Sequence, residues 1–224
     1  MYPCLTIDLA KLRHNAETLC SLAAAQGIPA LAFVTKVFCA DREMVQVLSE
    51  TGCGYLADSR VENLAAYPET HKQRILLRLP MICQAEDVVR YSDISFNSEL
   101  ATLRALSAAA KKQGKCHKVV LMIDLGDLRE GVFFQEEEHI LQLARMVEED
   151  PHLELYGTAF NLTCYGSVLP SRENLSQFLT ITHRIEEQIC RPLPFISGGN
   201  SSSIRQLLYE HTPFNFTNLR LGEA

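Results

Sequence analysis

The sequence predicts an α/β protein that folds as a (β/α)8 TIM barrel. Short apolar runs rich in β-branched residues recur eight times along the 224 residues, as expected of buried parallel strands. The segments between them place an apolar residue every three or four positions, which is the pattern of amphipathic helices. Strands that alternate with helices indicate a parallel sheet covered by helices, and eight strands favour closure into a barrel over an open sheet.

A single domain accounts for the whole sequence, residues 1–224, because barrels of this length are common and no linker interrupts the pattern. The predicted barrel strands span residues 31–37, 54–57, 74–79, 93–96, 118–125, 155–162, 194–197 and 216–221. The clearest predicted helices span residues 41–50, 98–113, 136–149, 171–190 and 202–211.

Two further elements precede the first barrel strand. Residues 4–8 predict a short lead-in strand, and residues 8–25 predict an amphipathic helix with Asp8 as its N-cap. The lead-in strand has no evident partner inside the barrel. We therefore expect it to join a sheet outside the barrel.

Bulk composition disfavours several classes of protein. Hydrophobic residues make up 47% of the chain and charged residues 21%, which is ordinary for a soluble globular protein. The formal net charge of -6 and the scattered Lys and Arg residues disfavour nucleic-acid binding. No apolar stretch reaches the length of a membrane span and the N-terminus lacks the pattern of a secretory signal, so we expect a cytoplasmic protein.

Cysteine and histidine spacing gives no sign of a metal site. The eight cysteines contain no Cys-x-x-Cys pair, so we predict that they are reduced and mostly buried. The seven histidines do not cluster either. A metal-dependent barrel is therefore disfavoured, and the chemistry is expected at the carboxyl ends of the strands, where barrel active sites lie.

Lys36 lies at the end of the first predicted barrel strand. Its apolar neighbours in residues 32–37 would partly desolvate the ammonium group, which favours the neutral amine that forms Schiff bases. A solvated lysine at a strand end is the simpler alternative, and the residue alone does not decide between the two.

A turn of small residues follows the seventh predicted strand. Residues 196–203 read Ile-Ser-Gly-Gly-Asn-Ser-Ser-Ser. The glycines permit close backbone approach, and the N–H groups and hydroxyls suit an anion at the start of a helix. Barrels often bind phosphate at this place, although an ordinary Gly-Ser loop is the alternative.

Further polar groups occupy other strand ends. Arg220 closes the eighth strand, so its guanidinium would point to the same end of the barrel as Lys36; a structural salt bridge is the alternative. Residues 124–131 crowd four charged residues around two glycines, either for function or as an ion-pair network. Residues 58–60 and 161–165 add polar groups at the second and sixth strand ends.

Six motifs in chain order resemble the alanine racemase N-terminal domain family of fold-type III pyridoxal-phosphate enzymes, and more closely its ornithine racemase-like branch. They are Val-Thr-Lys-Val at 34–37, Ala-Asp-Ser-Arg at 57–60, Gly-Asp-Leu-Arg-Glu-Gly at 126–131, Asn-Leu-Thr-Cys-Tyr-Gly at 161–166, Ser-Gly-Gly-Asn-Ser at 197–201 and Leu-Arg-Leu-Gly-Glu-Ala at 219–224. The resemblance covers essentially the whole chain, and each motif lies at a predicted strand end.

The resemblance implies a pyridoxal 5'-phosphate-dependent amino-acid racemase, an isomerase that interconverts L and D forms. Lys36 would hold the cofactor as a Schiff base, be displaced by the amino acid and then act as the catalytic base on one face. The remaining cofactor-binding residues would be Asn161, Asn200, Ser201, Ser202, Arg220 and Gly222, with Arg220 at the pyridine nitrogen. Arg129 and Asp127 would bind the substrate.

Two departures from the classical family bear on the substrate. Met122 stands opposite Arg129 where classical alanine racemases have a lysine, which bears on carboxylate binding by Arg129. Residues 37–40 replace a glycine-rich run that contains a tyrosine. Alanine is therefore disfavoured, and ornithine or a related small-molecule amino acid is the expected substrate.

The resemblance to alanine racemases implies that the second proton donor is a tyrosine from the C-terminal β-domain of the partner subunit. That domain follows the barrel and is absent from residues 1–224, so we expect a homodimer in the full-length form, a lead-in strand that joins the absent domain, and a chain that lacks the second donor by itself. The alternative is a single-barrel pyridoxal-phosphate-binding protein for cofactor homeostasis, without racemase activity.

Overall fold

Eight parallel strands form the wall of a barrel in the structure, a computed structural model that describes residues 3–163, 166, 168–209 and 214–223. The strands are β1 (Ala30–Val34), β2 (Tyr55–Asp58), β3 (Gln73–Leu76), β4 (Ile94–Asn97), β5 (His117–Asp124), β7 (Leu153–Ala159), β8 (Phe195–Ile196) and β9 (Asn218–Leu221). A short extra strand, β6 (Val132–Phe133), pairs with β5 outside the wall. Every predicted barrel strand is confirmed, with small shifts at the ends.

The wall closes between β8 and β9. The strand order is β8-β7-β5-β4-β3-β2-β1-β9, and an isolated parallel bridge between Ser197 and Asn218 joins its two ends. Beside this bridge, the Gly198 N–H donates to the Asn218 carbonyl (2.7 Å) and the Thr217 N–H donates to the Ile196 carbonyl (2.9 Å). The predicted barrel is therefore closed by a short seam, which we call the β8-β9 seam.

Helices cover the outside of the wall. They are α1 (Leu9–Ala25), α2 (Arg42–Ser49), α3 (Val61–Ala65), α4 (Ala85–Tyr91), α5 (Leu100–Gln113), α6 (Glu137–Glu149) and α7 (Arg172–Ile189). Asp8 caps α1 as predicted, because its Oδ1 accepts from the N–H groups of Ala10 (3.0 Å) and Lys11 (3.1 Å). No helix in the described ranges is long and apolar enough to cross a membrane.

The segment after β8 differs from the predicted helix at 202–211. It forms a 3₁₀ turn, Ser201–Ser203, and then a π-helical turn, Arg205–Tyr209. The rest of the predicted helix lies outside the described residues. Wide turns of this kind are often found at functional sites.

The predicted lead-in strand at residues 4–8 is not formed. The structure assigns no strand to residues 3–8, and all of them are exposed. A strand needs a partner for its backbone hydrogen bonds, and β1 is already paired on its two sides by β2 and β9.

Two apolar layers hold the wall in place. Inside the barrel, the side chains pack around Phe96 and Phe195, whose rings lie 6.1 Å apart in an edge-to-face arrangement. Near the amino ends of the strands, the hydroxyls of Tyr55 and Tyr156 lie 2.9 Å apart. Outside, the helices pack against the wall in a larger cluster. Aromatic side chains therefore fill the amino end of the described barrel interior.

The prediction that the cysteines are mostly buried is wrong. Seven of the eight lie in the described ranges and all seven are free, but of these only Cys53 is buried and Cys20 is partly buried. The exposed ones are Cys4, Cys39, Cys83, Cys116 and Cys190. They lie in turns, in the N-terminal segment and at helix ends, where the chain has no interior face. Cys164 lies outside the described residues.

His117, the first residue of β5, makes the stability of the fold depend on pH. Its side chain is 2% exposed, and its Nε2 lies 2.8 Å from Ser95 Oγ. Burial lowers the pKa of His117 from 6.5 to about 4, and the charge of Lys115 acts in the same direction. Between these two values the unfolded chain binds a proton more readily than the folded chain. The stability that neutral His117 contributes is therefore present above the unfolded pKa and is lost as the pH falls toward the folded pKa.

From this residue we expect the free energy of unfolding to fall by about 2 kcal/mol between pH 7 and pH 5. Denaturant unfolding at the two pH values measures the difference. In His117→Gln that part of the difference should disappear, because glutamine does not titrate. The same pH dependence in wild type and variant would contradict the assignment.

Candidate active site

A cavity of about 490 Å³ opens at the carboxyl end of the barrel. Eight of the nine predicted site residues line it, namely Lys36, Arg129, Asn161, Asn200, Ser201, Ser202, Arg220 and Gly222. They follow or end strands β1, β5, β7, β8 and β9. Because parallel strands present their carboxyl ends at one edge, residues far apart in the sequence meet in a single site.

Lys36 reaches the cavity from a tight turn. β1 ends at Val34, earlier than predicted, and Lys36 begins a 3₁₀ turn, Lys36–Phe38. The lysine is exposed, so the described residues do not provide the desolvation predicted from its apolar neighbours. The turn ends in Cys39 and Ala40, whose φ angles of 51° and 57° lie in the left-handed region. That conformation costs a residue other than glycine about 1–3 kcal/mol.

Arg220 on β9 is buried and closely held. Its guanidinium donates to Ser197 Oγ (2.6 Å), to the Phe160 carbonyl (2.6 Å) and to Asn161 Oδ1 (3.1 Å). Its Cζ lies 5.1 Å from the centre of the Phe96 ring. These three acceptors are neutral and hold the guanidinium in one orientation, so the cavity has a fixed positive group on its wall.

Asn161 connects Arg220 to a carboxylate. Its Oδ1 accepts from Arg220 and from Asn200 Nδ2 (3.0 Å), while its Nδ2 donates to Glu130 Oε1. The partners fix the orientation of the amide, because a flipped amide would turn its oxygen toward the carboxylate. Glu130 is 13% exposed in its side chain and lines the cavity.

The turn after β8 and the end of β9 together form a cradle for an anion. The N–H groups of Gly222 and Glu223 both donate to Ser201 Oγ, each at 3.2 Å. Asn200 caps the following 3₁₀ turn, because its Oδ1 accepts from the Ser202 N–H (3.0 Å). Converging N–H and hydroxyl groups of this kind suit a phosphate. We call this group the phosphate cradle.

Ser203 adds an unsatisfied hydroxyl beside the phosphate cradle. Its Oγ is buried and has no hydrogen-bond partner in the described structure. A Cβ at Gly199, which has a φ of 96°, would lie 2.6 Å from this Oγ. A buried hydroxyl without a partner costs about 1–3 kcal/mol, so its presence favours a ligand or water that completes the site.

The predicted substrate-binding residues Arg129 and Asp127 are separated. Arg129 lines the cavity, and its Nε lies 3.9 Å from Glu130 Oε1. Asp127 is not among the lining residues; it is buried, and its Oδ2 accepts from the Gly166 N–H at 3.4 Å. Asp124 accepts backbone N–H groups of the same loop. Asp124 and Asp127 therefore bind backbone N–H groups, whereas Arg129 and Glu130 line the cavity.

Besides the predicted site residue Ser202, three lining residues lie outside the six motifs, namely Leu77, Arg78 and Phe96. Arg78 follows β3, and its place at a strand end is the same signal that indicated Arg220. Phe96 lies in an apolar strand, and the sequence does not distinguish a residue that contacts a ligand from one that only packs in the core. Cys164 and Tyr165 of the motif at 161–166, and Ala224 of the last motif, lie outside the described residues.

Known proteins resemble this chain in sequence. The family model for the N-terminal domain of alanine racemase matches residues 7–224. The chain is 44% identical over 226 residues to an ornithine racemase from Acetoanaerobium sticklandii and 29% identical over 226 residues to a lysine racemase from Thermotoga maritima. The alignments cover all of this chain but only 63% and 62% of those two proteins.

Solved structures share the barrel. An alanine racemase from Streptomyces coelicolor superimposes with a TM-score of 0.78 at 21% identity, over 96% of this chain and 57% of that one. An unknown protein from Bifidobacterium adolescentis superimposes with a TM-score of 0.77 at 14% identity, over 98% of this chain and 97% of that one. At these identities the likeness shows the fold alone.

Proposed function

Because the chain belongs to the alanine racemase N-terminal domain family, we propose that it carries pyridoxal 5'-phosphate on Lys36 and racemises ornithine or a related basic amino acid. The observation that carries this proposal is the meeting of three groups in one cavity: the Lys36 amine, the phosphate cradle and the buried Arg220 guanidinium. Each suits a different part of the cofactor.

The donor set fits a phosphate ester. The phosphate cradle brings the Ser201 hydroxyl together with the N–H groups of Gly222 and Glu223, which donate to its Oγ, and the unpartnered Ser203 Oγ lies nearby. The Ser202 hydroxyl lines the same cavity. These groups would hold the phosphate, while Asn161 and Asn200 would hold the wall around it.

Pyridoxal phosphate, when bound, supplies an electron sink that makes the Cα proton of an amino acid acidic. Lys36 then removes this proton from one face of Cα or returns it there. Arg220 provides a positive charge without a transferable proton, because its guanidinium stays protonated at all working pH values. A group of that kind favours return of the proton to Cα over transamination.

The charges of the cavity suit a diamino acid. Arg129 is the lining cation that we assign to the substrate carboxylate, and Glu130 and Glu223 are lining carboxylates. We assign recognition of the basic side chain to Glu130, which lines the cavity, in place of Asp127, which is not among the lining residues. The similarity to proteins named ornithine racemase and lysine racemase supports the same substrate class.

Racemisation also needs a proton donor on the opposite face of Cα. The rim of the cavity carries apolar side chains in loops that follow strands, with Val37 70%, Leu128 76% and Leu169 70% exposed. Exposed apolar side chains at the carboxyl end of the barrel suit contact with a partner. We propose that a second copy of the full-length protein covers this rim in a homodimer and provides the donor, as the family resemblance implies.

A racemisation assay tests the proposal. The protein is supplied with pyridoxal phosphate and with L-ornithine, L-lysine, L-alanine or L-serine, and the D form is measured by chiral chromatography. We expect turnover of ornithine or lysine to be at least about tenfold faster than that of alanine, because a hydrogen bond to a charged group is worth about 1.5–3 kcal/mol. In Glu130→Gln this preference should shrink, whereas Glu149→Gln, a surface change on α6, should leave it unchanged.

Two results would count against parts of the proposal. A cofactor band without D product from any amino acid would favour the pyridoxal-phosphate-binding protein without racemase activity. The barrel matches 97% of the Bifidobacterium adolescentis chain, so a protein that consists of the barrel alone is a real alternative. An unchanged preference in Glu130→Gln would remove this residue from substrate recognition.

A further inference from the structure

A buried hydrogen-bonded group lies directly behind Lys36. Thr35, Asp58 and Tyr67 are 0%, 0% and 7% exposed. Thr35 Oγ1 donates to Asp58 Oδ2 at 2.5 Å and lies 2.7 Å from the Tyr67 hydroxyl. Because a carboxylate only accepts, the single Thr35 proton goes to Asp58 and Tyr67 donates to Thr35. We call these three residues the Thr35 clamp.

Thr35 also anchors the backbone of the turn that carries Lys36. Its N–H donates to the Ala57 carbonyl (2.9 Å), and its own carbonyl accepts from the N–H groups of Phe38 (3.2 Å) and Ala40 (3.3 Å). All polar groups of Thr35 are therefore used. No side chain caps the start of this turn. Because the turn also ends in two strained residues, it depends on the backbone contacts of Thr35 to keep one conformation.

Burial of the Asp58 side chain costs desolvation free energy. Its Oδ1 accepts from the Arg60 N–H (3.0 Å) and from Asn63 Nδ2 (2.9 Å), yet among the described residues no cationic side chain forms an ion pair with it. A buried carboxylate without a counter-charge is destabilising relative to an apolar residue. Burial also raises the pKa of Tyr67 above its ordinary value, which keeps the phenol protonated as a donor.

We propose that the Thr35 clamp positions Lys36: Asp58, acting through Thr35 with support from Tyr67, fixes the turn so that the Lys36 amine is presented to the cavity in one orientation. None of the three residues lines the cavity, so they are positioning residues. The proposal rests on the role of Lys36 in the proposed function. It predicts that loss of the clamp loosens the turn and slows bond formation at Lys36 without weakening the phosphate cradle.

The test compares Thr35→Val with a matched control. Thr182→Val removes an equally buried hydroxyl, which lies 2.9 Å from Thr158 Oγ1 on the far side of the wall. In the protein without cofactor, we expect amide hydrogen exchange in residues 36–41 to rise at least about tenfold in Thr35→Val and to stay unchanged in Thr182→Val. Thr35→Ser, which keeps the hydroxyl, should restore protection, and Asp58→Asn should behave as Thr35→Val if the latter does not fold.

A second measurement separates the clamp from the proposed function. With pyridoxal phosphate, borohydride trapping at Lys36 should be about tenfold slower in Thr35→Val, while the dissociation constant for inorganic phosphate stays at the wild-type value. Unchanged exchange, or trapping at the wild-type rate, would overturn the clamp even if the cofactor binds. Increased exchange in a protein whose wild type never reacts with the cofactor would uphold the clamp as a support for the Lys36 turn and overturn the proposed function instead.

Discussion

Replacing Lys36 with alanine is expected to abolish the near-violet absorbance band that we expect of the wild-type protein with pyridoxal phosphate. The band requires a Schiff base, and Lys36 is the lysine that lines the described cavity. Racemisation should fall by about 10³-fold or more, since we assign transfer of the Cα proton to the same amine. Borohydride reduction of the wild type should fix the cofactor on the peptide that contains Lys36.

Lys111→Ala is the matched control. Lys111 is an exposed residue in the last turn of α5, so its loss should change neither the band nor the activity. A band of equal height in Lys36→Ala would mean that another amine holds the cofactor, and the assignment of this site would then be wrong.

Gly157→Ala is expected to destabilise the barrel severely, although it adds only one methyl group. Gly157 on β7 pairs with Phe195 on β8. An added Cβ would lie 1.8 Å from the Phe195 carbonyl oxygen and 2.7 Å from its carbonyl carbon. Both are backbone atoms that cannot rotate away, so the two strands would have to separate. We expect a loss of about 3 kcal/mol or more in the free energy of unfolding.

The midpoint of denaturant unfolding measures this loss, and Gly52→Ala provides the control. A Cβ at Gly52 would meet only Cys20 Cβ, at an ordinary 3.7 Å, so its midpoint should stay close to that of the wild type. If Gly157→Ala unfolds at the wild-type midpoint, β7 and β8 do not pack as closely as described. Cofactor binding should weaken together with stability in this variant, because β8 leads into the phosphate cradle.

The barrel and the place of the site were predictable because both depend on patterns that are local in the sequence. Apolar runs alternate with amphipathic segments, and a polar residue after such a run has to lie at the carboxyl edge of a parallel sheet. These patterns are enough to place Lys36, Asn200 and Arg220 at the same end of the barrel, and all three line the described cavity.

Other features depend on contacts between distant segments, and the sequence does not show these. The lead-in strand at residues 4–8 has strand-like composition but no partner, and a strand does not form alone. Asp127 and Arg129 are two positions apart in one loop. The backbone between them is left-handed at Leu128, with a φ of 54°, and of the two only Arg129 lines the described cavity. Asp58 has the sequence pattern of a polar group on the rim, and only the packing of Thr35 and Tyr67 against it shows that it is buried.

The β8-β9 seam would give a phosphate ligand a second role, in closing the barrel. Ser201 follows β8, whereas Gly222 and Glu223 follow β9, so the phosphate cradle spans the two edges that the bridge from Ser197 to Asn218 joins. A phosphate dianion in the cradle would attract the donor groups that follow β8 and those that follow β9 to the same charge. Ligand binding and barrel closure are then thermodynamically linked, because a ligand that binds only the closed wall stabilises it by mass action. The cofactor would then stabilise the closed barrel wall as well as take part in the reaction.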